Sequence, residues 1–245
     1  MSNIKVSEKF NTRNHGIVTV LDYIDCRSVL IKFENSGAIK TVGADHLRCG
    51  NIKDQTQPTV YGVGVVGKNF DKGESHSLTY NTWNGMLQRC YDPKLKQRRK
   101  TYEGCFVDTV FLDYEYFKEW CHNQKGFGNK GWNLDKDILS NEVKVYSPDT
   151  CCFIPPEINS MFAGFSSERK KHIGVFENNS GNFYVRTLIN GVKKSLGTFP
   201  TKDEAEEVYK AEKRRKILLV LGEWEDELDV RVVERLSSLM EVKSE

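Results

Sequence analysis

The chain has 245 residues, 38% of them hydrophobic, which is enough to bury a core and suggests two or three small modules rather than one large one. Its 36 Lys and Arg stand against 34 Asp and Glu, a net charge of +2, so total charge does not announce a nucleic-acid partner and local clustering has to make that case. The seven cysteines form no C-x-x-C pair and no zinc spacing, no apolar run approaches the ~20 residues of a membrane span, and the first residues lack a signal core, so the expectation is a cytoplasmic protein with reduced thiols and no membrane partner.

In chain order, "GIVTVLDYI" and "RSVLIKF" read as β-branched, apolar strands, and "AIKTV" follows the turn Asn35-Ser36-Gly37. Val29, Ile31 and Phe33 share one face at period two. Closely spaced strands over residues 1–55 predict a small β-barrel of the Src-homology-three or Tudor kind. Residues 56–77 are Gly-rich and read as a linker. Gly62 to Gly67 match G-x-G-x-x-G, but Pro58 precedes them and "KNFDKGES" after them forms no helix, which argues against a dinucleotide loop. Residues 78–92 return to helix, with Trp83, Met86, Leu87 and Cys90 at i, i+3, i+4, i+7. The basic run "KLKQRRK" (94–100) follows; it reads either as a solvated loop or as a phosphate-contacting patch.

Asp113 is placed to cap a second helix through about Cys121, with Tyr116, Phe117 and Trp120 in its apolar share. After a loop comes "WNLDKDILSNEVKVYSPDTCCFIPPEIN" (132–159), where Asp135 and Asp137 flank Lys136 and would share a face if the strand stayed extended. From Lys170 the pattern becomes three strands and a helix: "HIGVFENN", "GNFYVRTLIN", the hairpin signal Asn190-Gly191, then "VKKSLGTF". Pro200 ends the strands. Thr201 and Glu204 form a T-x-x-E capping box for a helix to about Leu221. Asp229 caps a last helix carrying Val233, Leu236 and Met240 on one face. The fold class expected is α+β.

The block 170–222 resembles the APETALA-type DNA-binding domain of plant ethylene-response factors, which also occurs in phage and homing endonucleases. "SLGTFPTKDEAEEVY" carries its signature through Leu196, Gly197, Phe199, Thr201, Glu204, Ala205 and Tyr209, and Gly174-Val175 stands at its opening G-V. The resemblance implies a three-stranded sheet in the major groove with a helix packed behind. Alternation sends Phe183, Val185 and Leu196 to the helix, and Phe176, Asn178, Tyr184, Arg186, Lys193 and Ser195 outward. DNA contact is assigned to Arg186, Lys193, Tyr184, Asn178 and Ser195. The outward face is poorer in arginine than the family's, and it lacks the usual tryptophan.

Residues 78–165 resemble a core found in phage HNH-like endonucleases. The shared motifs are W-x-x-M-x-x-R-C-Y (Trp83, Met86, Arg89, Cys90, Tyr91), a Y-x-G turn (Tyr102, Gly104), an F-x-x-W helix end (Phe117, Trp120) and "LDKDILSNEVKVYSPDTCCFI". An active centre of that kind needs a histidine base and a divalent cation held by His or Asn and an acid. Lys136 stands where the histidine usually is, Thr150 replaces the turn Asn, and His122 lies outside the motif. The resemblance makes Asp135, Lys136, Asp137 and Asn159 the candidate catalytic residues and Asp135 and Asp137 the candidate ligands for Mg2+ or Mn2+.

Three readings follow. The first is a phage-encoded protein that binds double-stranded DNA and whose HNH-like core has lost catalysis. The second is an active metal-dependent endonuclease of the homing type. The third is an interaction factor that inhibits or modulates a host protein. The layout expected is a barrel (1–55), a linker (56–77), an HNH-like core (78–165), an APETALA-type ββα module (170–222) and a C-terminal helix (223–245).

Overall fold

The computed structural model describes residues 4–71, 73–140, 143–162, 174–189 and 192–240. The chain is α+β and divides into two compact units: residues 1–103 with 109–118, and residues 104–108 with 119–245.

In the first unit, β1 (Lys9–Asn11), β2 (Ile17–Asp25), β3 (Ser28–Phe33) and β4 (Ile39–Val42) form an antiparallel meander in the order β1-β2-β3-β4. The period-two expectation holds: Val29, Ile31 and Phe33 are fully buried, with Val18 and Val20 from the neighbouring strand. Two register shifts bend the β2–β3 pair. The sheet is open rather than a closed barrel, because no β1–β4 pairing exists among the described residues. The core closes without it: the short helix α1 (Ala44–Arg48) supplies Ala44 and Leu47, and Ile52 follows.

The Gly-rich stretch that reads as a linker is built into this unit. The Val65 N–H donates to Leu112 O, and the Tyr114 N–H donates to Val65 O. Gly64 lies against Trp83 and Leu87, where a Cβ would come within 2.5 Å of a leucine methyl. No helix opens at Gly67; a 3-10 turn (Glu74–His76) leads into α2 (Leu78–Tyr91). The Ser77 hydroxyl caps α2 by accepting from the Tyr80 N–H. Trp83, Met86, Leu87 and Cys90 are buried, and the Trp83 indole N–H donates to Phe111 O at 2.7 Å. The run 94–100 is not a loop: α3 (Pro93–Arg98) and a 3-10 turn (Lys100–Tyr102) occupy it. Asp113 caps α4 (Tyr114–His122) through the amides of Glu115 and Tyr116. Phe117 of α4 is buried, whereas Tyr116 stays exposed.

The second unit has two short ladders and two hydrophobic clusters. β5 (Phe106–Val107) pairs in parallel with β7 (Val145–Tyr146). β6 (Asn133–Asp135) pairs antiparallel with β8 (Cys152–Ile154), and α5 (Pro156–Phe162) follows. β9 (Val175–Glu177), β10 (Phe183–Ile189) and β11 (Val192–Phe199) form a sheet in the order β11-β10-β9. The Asn190-Gly191 turn and the strand opening before Gly174 lie outside the described residues.

The long helix α6 (Lys202–Trp224) starts at Thr201, whose hydroxyl accepts from the Glu204 N–H. Its first half packs on the sheet through Ala205 and Tyr209. Its second half joins α7 (Val230–Ser238) in a cluster of Ile217, Val220, Leu221, Val232 and Leu236 with Ile138, Ile154 and Ile158. One helix therefore serves two cores.

Candidate nucleic-acid interface and nuclease-like core

β6 stops at Asp135. Its carboxylate Oδ1 accepts the N–H groups of Asp137 (2.8 Å) and Ile138 (2.9 Å), so the backbone turns immediately after it. That turn overturns the extended-strand expectation for the two acids. Asp135 is buried at 8% exposure, while the Asp137 side chain is 67% exposed. One carboxylate is therefore sequestered and the other faces solvent. Burial is the main cause that holds the Asp135 carboxyl above its ordinary range, against the lowering pull of the Ile138 amide, and the Asp137 charge also helps raise it.

Lys136 is 5% exposed. Its ammonium donates to Asp137 Oδ1 and lies 5.4 Å from the centroid of the Tyr146 ring. Both partners recognise a cation. Asn159 is exposed on α5, next to the buried Ile158, and among the described residues its side chain makes no hydrogen bond to Asp135, Lys136 or Asp137. His122 packs edge-on against Phe127. Thr150 replaces the turn Asn with hydroxyl chemistry: its Oγ1 donates to Val145 O and accepts the Ser147 N–H, and Ser147 Oγ accepts the Thr150 N–H. Burial pushes the thiols of Cys151 and Cys152 up, Cys151 to about 12, which leaves no thiolate at neutral pH.

The donor set does not fit a divalent cation. One carboxylate is occupied by backbone amides, the other is bound to an ammonium, and that ammonium would repel a metal between them. Among the described residues no group of three or more His, Cys, Asp or Glu side chains is placed to share a metal ion.

A residue that sequence reasoning missed holds this segment in place. Arg231 Nη1 donates to Pro148 O (3.1 Å) and Asp149 O (3.0 Å), and Nη2 donates to Cys151 O (3.2 Å). Asp229 orients the guanidinium by accepting from Nε and Nη2. Burial raises the Asp229 carboxyl, and the Arg231 hydrogen bonds more than reverse this, leaving it below the usual range. The available signal was a basic residue in the first turn of α7, where the helix dipole disfavours it.

The sheet β9–β11 has two distinct faces. Val175, Val185 and Ala205 are buried between sheet and α6, with Phe183, Leu196, Phe199 and Tyr209 around them. Gly174, at φ +100°, lies against the Tyr209 ring, where a Cβ would come within 2.2 Å. Thr187 also turns to the helix and accepts from Lys216 Nζ. The opposite face carries a ladder. Phe176 stacks on Tyr184 (centroids 5.3 Å apart, planes at 23°), and the Arg186 guanidinium lies 4.8 Å over the Tyr184 ring. Ser195 is opposite Arg186 and Lys193 is opposite Leu188. The bulge at Leu196 lets Ser195 face outward while Leu196 and Phe199 both reach the helix side.

Asn178 also has a local structural role. Its Oδ1 accepts the N–H groups of Ser180 and Asn182, which makes it the organiser of the β9–β10 turn. The structure thus brings Tyr184, Arg186, Ser195 and Lys193 to one face and assigns Asn178 to the turn beside it.

Compared with known proteins, the chain matches no family model, no curated protein and no solved structure.

Proposed function

We propose that this chain is a DNA-binding protein that meets duplex DNA through the outer face of the sheet β9–β11, with the HNH-like segment 132–159 kept as a scaffold without hydrolytic chemistry. The observation that carries this reading is the division of the sheet into an apolar face packed on α6 and an opposite face bearing Arg186, Lys193, Tyr184 and Ser195, on which no helix packs among the described residues. A two-stranded ribbon fits the major groove, and an arginine held flat by an aromatic ring presents a pre-oriented fork to guanine or phosphate. The resemblance to the APETALA-type domain points the same way. We read the open N-terminal meander as a Src-homology-three- or Tudor-like module that accompanies this core, in a phage-encoded protein acting in the host cytoplasm.

The reading of an active endonuclease is less well supported. Its base position is Lys136, bound to Asp137, and of its two acids one is buried and bonded to backbone amides while the other is exposed and bonded to that lysine. Fluorescence anisotropy with a labelled duplex tests the proposal. Binding should weaken as salt rises, and Arg186→Ala with Lys193→Ala should lower the log–log salt slope by about two. Salt-independent binding, or none, sinks it.

A further inference from the structure

We propose that α3 and the turn after it form a second site, a clamp for the phosphodiester backbone of duplex nucleic acid, carried by Lys94, Arg98, Arg99 and Lys100. It rests on the DNA-binding reading above and adds to it a sequence-independent contact on the other unit.

Residues 94–100 hold five cations and no acid. The run is anchored from below. Pro93 opens α3, Leu95 is half-buried, and Lys96 lies 5.9 Å from the centroid of the Tyr91 ring. The remaining four cations are exposed, and among the described residues none has a carboxylate at ion-pair distance. Asp92, the nearest acid in sequence, turns its oxygens to the amides of Lys94 and Leu95 and to Gln88 Nε2.

The other basic helix offers a contrast. On α6, Lys202, Lys210 and Arg215 each pair with a glutamate one turn away. On α3, Lys94 and Arg98 stand at i and i+4, a like-charge spacing that weakens a helix, and Lys94 sits in the first turn, where the dipole repels it. Local structure uses only part of this charge: Arg98 Nε donates to Lys94 O at 3.4 Å and its charge helps hold the Asp92 carboxyl below the usual range, while Lys94, Arg99 and Lys100 have no acidic partner among the described residues. A polyanion that supplies phosphates at regular spacing would neutralise them together and release its condensed counterions.

The experiment compares the full chain with a Lys94→Gln, Arg98→Gln, Arg99→Gln, Lys100→Gln variant, by anisotropy on a labelled duplex of arbitrary sequence across a salt series. Lys96 is left in place because it packs on Tyr91. The expected result is a salt slope lower by about three to four and at least a tenfold weaker affinity at low salt, with an unchanged circular dichroism spectrum. An unchanged slope, with the Arg186→Ala, Lys193→Ala variant still lowering it, overturns the clamp and leaves the sheet reading standing. Absence of wild-type binding overturns both. Polyglutamate bound as tightly as duplex at equal salt overturns the assignment to nucleic acid in favour of an acidic protein surface.

Discussion

The buried ammonium of Lys136 lies 5.4 Å from the centroid of the Tyr146 ring and donates to the carboxylate of Asp137. A side chain packed this way is part of the fold. Lys136→Ala removes a buried stem and a cation–π contact, so it should destabilise the protein by about 2 kcal/mol in urea unfolding. Lys136→His should not create metal-dependent cleavage, because among the described residues no ligand set accompanies the histidine. Plasmid nicking by that variant, abolished by a chelator, would contradict this.

The neighbouring Asp135 gives a pH test. Its carboxyl titrates above the ordinary aspartate range, chiefly because it is buried. Well below the ordinary aspartate value of about 3.9 it is protonated in folded and unfolded chains alike. As pH rises, the unfolded chain ionises first, and stability falls until the folded carboxyl ionises too. Asp135→Asn keeps a carbonyl oxygen for the amides of Asp137 and Ile138 and cannot ionise. Denaturation at about pH 2.5 and about pH 7, on either side of the aspartate range, should show the variant gaining on the wild type at the higher pH. An equal deficit at both would be evidence against the account.

Arg231 should be sensitive to any change of shape. Arg231→Ala leaves three carbonyls without their donor and frees Asp229 from its partner, a loss of about 2 kcal/mol by thermal unfolding. Lysine cannot reproduce the fork, so Arg231→Lys should recover little. The Asp229 carboxyl lies below its usual range despite burial, through its bonds with Arg231. Its stabilisation is present above the unfolded aspartate range and is lost as pH falls through the folded value. The acid-unfolding midpoint should therefore move to higher pH in Arg231→Ala.

Gly174 tests the sheet from behind. A Cβ there would come within 2.2 Å of the Tyr209 ring at a φ of +100°. Gly174→Ala should cost more than about 2 kcal/mol and should weaken DNA binding without altering any outward residue. Full binding with unchanged stability would contradict the packing described.

Much of this architecture was legible in the sequence because it rests on periodicity. The strands β2 to β4, the Trp83–Cys90 stripe, the Thr201 cap and the inward Val185 all follow from period and capping rules. What was not legible depends on where a backbone turns. Asp135 and Asp137 are two apart, and only the amide bonds to Asp135 reveal that the strand ends between them. The turn-organising bonds of the Asn178 side-chain oxygen to the amides of Ser180 and Asn182 were likewise not legible. Arg231 acts on carbonyls some eighty residues away, and its one local signal, a basic residue in the first turn of α7, does not say which carbonyls it meets.

The most direct test of the central claim is a plasmid assay in Mg2+ and Mn2+, with retardation and nicking read on the same gel. The account predicts that the protein retards supercoiled plasmid and leaves it uncut, and that Arg186→Ala with Lys193→Ala weakens the retardation. Divalent-dependent nicking that disappears in Asp135→Asn would contradict it.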